Sequence, residues 1–368
     1  MKIAILSPKS KTVYNFRGEL VRDMLSRGNE VTVIVPDTLF SREIKTLGNV
    51  NIITLPFVKD NMSVKGDHRY YSELKRLLFQ IKPDMLFCYT AKPVIYGCLA
   101  AGKAGVKKIY PMITGLGRVY SGGGIKRKAL RNLVSRLYKV SLKNADKVIF
   151  QNDDDKNQFI REKTVLPGKC VKVDGSGVDM TRFEKFPLPP DPVFLMVGRI
   201  IAEKGVIEYC KAAQTVKLTH PEAKFILVGG FDSSLGAVSP QEIKSYIDDG
   251  TVEYAGEVKD PTEFYKKCSV FVLPTYYYEG LPRTILEAMS TGRAVITTDW
   301  RGCREAVTNN VNGFLVKPKD AAELAKKMLT LAENAELRAQ MGENSYCICK
   351  EKYSTEKVNA RMREIMGY

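Results

Sequence analysis

Short apolar runs alternate with longer mixed stretches along the whole chain. In the first half, Ile3–Leu6, Val31–Val35, Ile52–Leu55, Met85–Cys88, Lys108–Tyr110 and Lys147–Phe150 read as strands. Glu19–Arg27 reads as a helix, with Gly28 behind it as its stop. No tight hairpin turn joins these runs, so the pattern predicts βαβ units and a parallel sheet buried on both faces. Pro187-Leu188-Pro189-Pro190 reads as a linker. A second series follows it, with strands at Val193–Val197, Lys224–Val228, Val252–Tyr254, Val270–Leu273 and Ala294–Thr297. Ala321 to Met366 is helical and charged. Two successive α/β series predict two doubly wound, Rossmann-like domains facing each other across a cleft, with ligands outside the carboxyl ends of the strands. The expected division is an N-terminal domain over 1–180, a second domain over 181–350, and a C-terminal helix over 351–368 that can return to the first domain.

A length of 368 residues fits two domains. No uncharged apolar stretch approaches the ~18 residues of a membrane span. Met1–Leu6 is too short an apolar run for a signal peptide, and Lys9 and Lys11 follow at once. The eight cysteines are scattered and the two histidines, His68 in a polar loop and His220 at a helix end, lie far from any cysteine pair. That pattern predicts reduced thiols in a cytoplasmic protein and no zinc site. The net charge of +16 calls for an anionic partner: nucleic acid, a membrane surface or a phosphorylated substrate. Nucleic acid is not expected. No strand pair carries the basic and aromatic pattern of an RNA binder, and Tyr276-Tyr277-Tyr278 leads into an acid, Glu279. The dinucleotide fingerprint is absent too. The first strand runs into Ser7-Pro8-Lys9-Ser10-Lys11, and Gly115-Leu116-Gly117 lacks the third glycine, so hydride transfer is not indicated. Gly122-Gly123-Gly124 reads as a loop.

The chemical centre is Tyr278-Glu279-Gly280-Leu281-Pro282-Arg283-Thr284-Ile285-Leu286-Glu287. It follows the Val270–Leu273 strand and opens a helix near Pro282, where the lost N–H costs nothing. The free N–H groups of that helix end favour an anion such as phosphate. Glu279 stands at the mouth and Glu287 lies roughly 12 Å further along, at ~1.5 Å per residue. Two acceptors that far apart around an anion site suit a nucleotide-sugar; the alternative is a cap and a surface helix residue. Just past Val193–Val197 come Gly198-Arg199 and Glu203-Lys204-Gly205. Gly198 allows close backbone approach, Arg199 can grip phosphate oxygens in pairs, and Lys204 acts as a point charge. The alternative is two solvated cations.

These motifs resemble the retaining GT-B glycosyltransferases of family 4. The resemblance continues through Asp299, Gly302-Cys303-Arg304-Glu305 and Asn312-Gly313-Phe314-Leu315-Val316. In the first domain, Lys92-Pro93-Val94-Ile95-Tyr96-Gly97, Ile113-Thr114-Gly115-Leu116-Gly117 and Gly175-Ser176-Gly177-Val178-Asp179 are similar to a bacterial branch that extends polyprenyl-diphosphate-linked saccharides. The opening Tyr14-Asn15-Phe16-Arg17 is similar to that branch's N-acetylgalactosaminyltransferases. The resemblance implies that Arg199 and Lys204 hold the donor phosphates, that Glu279 faces the donor sugar, that Glu287 bonds the ribose, and that backbone at Gly280, Leu281 and Pro282 closes over the donor. It implies retention of configuration and no required metal or other cofactor.

The sequence departs from the family in two places. Many members carry a histidine at the segment here written Thr114-Gly115, so Thr114 and Gly115 enter as substrate contacts without a histidine. Relatives often have paired glycines after the first strand, whereas Lys9–Arg17, read as a basic loop, has none. Arg17 and Lys11 there are candidates to meet a phosphate, with a solvated loop as the alternative, and Lys92 joins Arg17 as a tentative substrate residue. Asp153-Asp154-Asp155 has a metal-type D-x-D spacing, but its place before a helix reads as capping and dipole complementation.

Lys126, Arg127, Lys128, Arg131, Arg136, Lys139, Lys143 and Lys147 interleave with Leu130, Leu133, Val134, Leu137, Tyr138 and Val140 at helical spacing. Such a helix can dock on an anionic membrane surface, or simply cover a core. The expectation is therefore a peripheral enzyme on the inner face of the plasma membrane. It moves a GalNAc, Gal or Glc type sugar from a UDP-sugar to a polyprenyl-diphosphate saccharide. A nucleotide-sugar epimerase of the same fold is the alternative, disfavoured by the scarcity of histidine.

Overall fold

In the computed structural model, which describes residues 1–57, 64–121, 124–232 and 237–368, the chain forms two compact units. Gly122, Gly123 and the side chain of Lys126 lie outside the described residues. The first unit holds Met1–Gly177, Tyr278–Gly280 and Thr355–Tyr368, and the second holds Val178–Tyr277 and Leu281–Ser354.

The first unit runs β1 (Lys2–Leu6), α1 (Ser10–Ser26), β2 (Glu30–Val35), α2 (Ser41–Lys45), β3 (Val50–Thr54), α3 (Val64–Ile81), β4 (Met85–Tyr89), α4 (Ala91–Ala104), β5 (Lys108–Ile113), α5 (Ile125–Ser141), β6 (Val148–Phe150), α6 (Asp153–Arg161) and β7 (Cys170–Lys172). Its seven strands lie in the order 3-2-1-4-5-6-7, all parallel. Side chains alternate between the faces: Ile3 and Ile5 join one core, Ala4 and Leu6 the other. Burial on both faces is why these strands read as unbroken apolar runs.

The second unit runs β8 (Val193–Val197), α7 (Val206–Lys217), β9 (Lys224–Val228), α8 (Pro240–Asp248), β10 (Glu253–Gly256), α9 (Thr262–Lys267), β11 (Val270–Leu273), α10 (Arg283–Ser290), β12 (Ala294–Thr298), β13 (Gly313–Val316), α11 (Ala321–Glu333) and α12 (Ala335–Ile348). Its parallel sheet has the order 10-9-8-11-12-13 around one core. In each sheet the order reverses beside the first strand, at β1/β4 and β8/β11, which is where a doubly wound fold receives its ligand. The final helix α13 (Thr355–Met366) belongs to the first unit, burying Val358, Met362 and Met366 while Arg363 and the Tyr368 hydroxyl reach Asp23 at 2.7 and 2.9 Å.

The structure corrects several expectations. The segment Lys9–Arg17 is not a loop, because α1 starts at Ser10. Its buried positions Val13, Arg17, Leu20, Val21 and Met24 keep helical spacing, but Arg17 occupies one of them, so the apolar face looks broken in sequence. Lys11 accordingly sits in the first turn of α1, and His68 lies on α3 rather than in a loop. The strands β7 and β13 are short edges that the pattern did not separate from their surroundings. The proline run is not a free linker. The Phe186 and Pro187 carbonyls accept from Arg293 at 2.9 and 3.3 Å, and the Pro190 carbonyl accepts from Arg338 at 3.2 Å, all within the second unit.

Arg293 is fully buried and also donates to the Tyr265 and Lys266 carbonyls at 2.9 and 3.2 Å. Arg293→Ala strands four carbonyls in the core and should cost about 3–5 kcal/mol. By calorimetry the second unit's melting temperature should fall by roughly 6–20 °C; a fall under about 2 °C would show that water or rearrangement replaces these bonds.

Candidate functional site

In the second unit the loops after β8, β11 and β12 are laced together at the carboxyl edge. The Glu203 carbonyl accepts from Tyr276 N at 2.8 Å and Thr275 Oγ1 at 3.0 Å. The Thr298 hydroxyl bonds the Thr275 carbonyl, and Trp300 Nε1 donates to the Tyr277 carbonyl at 3.2 Å. Gly205 has φ +78°, and a Cβ there would lie 2.2 Å from the Pro274 carbonyl oxygen, so only glycine permits this approach.

This lacing fixes the two cations. Lys204 ends a short 3₁₀ turn and is buried, its stem passing 3.8 Å from where a Cβ on Gly198 would stand. The next glycine, Gly205, opens α7. Arg199 donates to Asp232 Oδ2 at 2.7 Å and lies over the Tyr277 ring, 5.6 Å from its centroid. Burial opposes its charge, but Tyr277 and Asp232 more than offset that and raise its pKa. Neither cation is simply solvated.

Pro282 is the N-cap of α10, followed by Arg283 as the first helical residue. Leu281 is buried in the second unit's core. One turn into the helix, Glu287 is buried and accepts from Tyr265 OH at 3.0 Å and Arg283 Nε at 3.1 Å. Burial pushes its carboxyl above the usual range, while Arg283 and Tyr265 pull the other way. Glu287 is therefore an oriented interior carboxylate, not a surface helix residue. Arg304 pairs with Asp299 at 3.0 Å, and Asn312 bonds Thr308 N at 2.8 Å and the Ala306 carbonyl at 3.1 Å.

In the first unit a second group of candidates meets at its own carboxyl edge. Gly280 N donates to the Thr114 carbonyl at 3.1 Å, and Gly117 N donates to the Tyr278 carbonyl at 2.9 Å. Asn152 Nδ2 donates to the Gly280 and Glu279 carbonyls at 2.8 and 3.2 Å, while its Oδ1 caps α6 through Asp155 N at 2.7 Å. Asn152 thus holds the Glu279–Gly280 backbone, and the Gly280 N–H and the close approach of Gly115 bring Thr114 and Gly115 against it. Gly115 has φ +110°, and a Cβ on it would lie 2.6 Å from Gly280 N.

Arg17 is close to this group but wholly enclosed. It lies over the Phe87 and Tyr89 rings, 5.8 and 5.2 Å from their centroids, and its Nη2 is 2.9 Å from Met112 Sδ, which Gln151 Nε2 also approaches at 3.7 Å. Lys92, in the first turn of α4, is paired with Asp67 at 2.8 Å. In the aspartate run, Asp153 pairs with Lys156 and Lys172 at 2.5 and 2.7 Å, and Asp155 is buried under the Asn152 cap. The sequence reading missed Asn152, Gln151, Asp232, Tyr265 and Tyr277. Only Asn152 carried a signal, as a capping residue type directly before three acids.

The family profile "Glycosyl transferase 4-like" matches residues 2–152, and "Glycosyl transferases group 1" matches residues 179–347. The chain belongs to the glycosyltransferases. Over 359 residues this glycosyltransferase is 29% identical to the N,N'-diacetylbacillosaminyl-diphospho-undecaprenol alpha-1,3-N-acetylgalactosaminyltransferase of Campylobacter jejuni, covering 94% of this chain and 93% of that one. It is 26% identical over 304 residues to the UDP-Gal:alpha-D-GlcNAc-diphosphoundecaprenol alpha-1,3-galactosyltransferase of Escherichia coli, covering 78% of this chain and 76% of the relative. Its fold is GT-B. HepE of Anabaena, solved in complex with UDP, superposes with a TM-score of 0.78 at 19% identity over 100% of both chains. Sucrose-phosphate synthase of Thermosynechococcus elongatus does so at 0.81 and 18%, over 99% and 98%. The relatives named here are transferases, which leaves the epimerase alternative without support.

A Cβ on Gly280 would stand 2.2 Å from Gln151 Oε1 and 2.9 Å from the Thr114 carbonyl. Overpacking of this kind costs about 1–3 kcal/mol. Gly280→Ala should therefore lower kcat/KM by roughly tenfold or more, while Gly168→Ala, whose Cβ meets nothing within 4 Å, should leave it unchanged. Equal activity of the two variants in a steady-state assay would show that this close approach is not needed for turnover.

Proposed function

We propose that this enzyme transfers a sugar of GalNAc, Gal or Glc type from a UDP-sugar to a polyprenyl-diphosphate-linked saccharide, with retention of configuration. The observation that carries the acceptor is the 29% identity over 94% of the chain to a transferase that acts on an undecaprenyl-diphosphate sugar. The donor reading is supported by the carboxyl edge of the second unit, where the two cations, the N-terminus of α10 and a buried carboxylate share one laced set of loops.

Loss of a nucleoside diphosphate builds negative charge on the leaving group. Arg199, Lys204 and the positive end of the α10 helix dipole supply preorganised charge for it. Arg199 would exchange Asp232 for a phosphate oxygen on donor binding, and Tyr277 would keep its plane oriented. Glu287, held by Tyr265 and Arg283, retains lone pairs for the ribose hydroxyls. Glu279, whose backbone Asn152 fixes, faces the donor sugar. Within the first unit, Thr114 and Gly115 lie against the Glu279–Gly280 backbone, and Arg17 positions Met112 and Tyr89. With two cations in place and Asp153 engaged by lysines, no metal is required in this scheme.

Among the described residues no helix is long and apolar enough to cross a membrane. The basic residues of α5 support peripheral attachment to the anionic inner face of the plasma membrane, at ~1 kcal/mol per cation near the surface.

Transfer is tested by following radiolabel from a panel of UDP-sugars into solvent-extractable lipid with bacterial membranes as acceptor. One donor should label lipid, and Glu287→Ala should abolish most of the signal together with UDP affinity. UDP binding without label from any donor would overturn the acceptor assignment, and unchanged UDP affinity in the variant would remove Glu287 from the donor site.

Arg199→Ala combined with Lys204→Ala should lower kcat by about 10²–10³-fold or more, the scale of losing preorganised charge at a developing anion. EDTA should leave wild-type turnover intact. Near-normal kcat in the double variant, or full inhibition by EDTA, would refute the proposed charge arrangement.

A further inference from the structure

The first unit carries a cavity of about 380 Å³ among α3, α4 and α5 that the donor and acceptor residues above do not use. Val64 and Tyr71 of α3, Tyr96 and Leu99 of α4, and Leu133 and Leu137 of α5 line it. Its volume is that of a small-molecule site, and its walls are apolar and aromatic. The acid in the lining, Asp67, is neutralised: Lys92 Nζ lies 2.8 Å from one oxygen and Tyr96 OH donates to the other at 3.0 Å. His68, the remaining polar neighbour, is exposed.

The two ends of this groove differ in chemistry. At one end the Lys92–Asp67–Tyr96 network sits in the first turns of α4, just past the carboxyl end of β4, the edge at which a doubly wound sheet receives substrate. Positions 92, 96 and 99 share a face of α4, so the groove descends from that edge by roughly 10 Å at ~1.5 Å per residue. At the other end it meets a stripe of α5 that the protein leaves uncovered. Ile125, Leu133 and Val140 are 90, 49 and 54% exposed, and Val64 across the groove is 87% exposed. Ile125, Ala129, Leu133 and Val140 fall on one side of the helix, whose 17 residues include six lysines and arginines and no acid. An apolar trough that starts at a substrate edge and opens on an apolar, cation-framed helix face has the polarity of an anionic lipid: charged head inward, hydrocarbon outward to the bilayer.

We propose that the α3–α4–α5 groove seats the first isoprene units of the acceptor's polyprenyl chain, with the diphosphate toward the Lys92 end and the rest of the chain leaving over the exposed face of α5 into the membrane. This assignment rests on the polyprenyl-diphosphate reading of the acceptor and adds to it the site that recognises the lipid. It makes the enzyme selective for the carrier as well as for the sugar.

The test uses the full-length enzyme in detergent micelles with two acceptors of identical saccharide-diphosphate head, one on a polyprenyl chain and one on a short alkyl chain. The wild type should show a KM roughly tenfold lower for the polyprenyl acceptor, as expected from burying a few isoprene methylenes. Leu133→Gln and Val64→Gln change exposed side chains that folding does not need. Each should raise KM for the polyprenyl acceptor about tenfold while leaving kcat, and KM for the short-chain acceptor, within twofold of wild type. Equal KM for the two acceptors in the wild type, or variants that shift both acceptors or neither, overturns the proposal. Binding to phosphatidylglycerol vesicles without acceptor is measured in parallel. A loss there with unchanged micellar KM makes the groove a bilayer-docking patch and also overturns it. Transfer to neither acceptor by the wild type counts against the acceptor reading itself, and the groove assignment falls with it.

Discussion

Every paired strand in both sheets runs parallel, and this constraint decides where chemistry can happen. A parallel strand must be followed by a crossover, here nearly always a helix, so the carboxyl ends of the strands and the amino ends of the helices collect on one edge of each sheet. Loops on that edge are fed by rigid, doubly buried strands and can approach one another closely. Gly205 against Pro274 in the second unit, and Gly115 against Gly280 in the first, mark where backbone packs on backbone with no room for a side chain. Lys204, next to Gly205, and Glu279, next to Gly280, take their places from this crowding.

The candidate donor residues are already engaged with protein partners. Arg199 rests on Asp232 and Tyr277, and Glu287 on Tyr265 and Arg283. Partners of this kind hold each charge in a set direction before any ligand is present, the preorganisation that makes charged groups effective at a developing anion. The same logic governs the first unit. There a single side chain, Asn152, caps α6 with its oxygen and holds the Glu279 and Gly280 carbonyls with its nitrogen. One amide links the start of a helix to the backbone that carries a candidate catalytic acid.

The surface of the first unit has a different character. Helix α5 buries Val134 and Tyr138 but leaves Ile125, Leu133 and Val140 in the open, amid lysine and arginine. A helix that only covered a core would turn those three positions polar. Their exposure, and the groove beside them, give the lipid portion of the proposed acceptor a place to lie.

Much of the architecture was determined by the sequence itself. Parallel strands covered on both faces are apolar along their buried length, so Val193–Val197, Val270–Leu273 and, past its exposed first lysine, Lys224–Val228 could be read to the residue, and the glycine and proline punctuation around them marked the loops that carry the candidate cations. What sequence could not supply was which polar groups are buried and whom they meet. Arg17 broke the apolar face of α1 and hid nine residues of helix, because an arginine stacked between β4 aromatics looks the same in sequence as one in water. The proline run looked like a linker because nothing in it announces the Arg293 and Arg338 side chains, 100 and more residues away, that hold its carbonyls. Asp232, Tyr265 and Tyr277 reach their partners only once β9, α9 and the loop after β11 are stacked beside β8. Local pattern dictates strands and helices because it is the burial of each residue's own side chain. The partners of buried charges come from segments distant in the chain, and only the tertiary structure decides them.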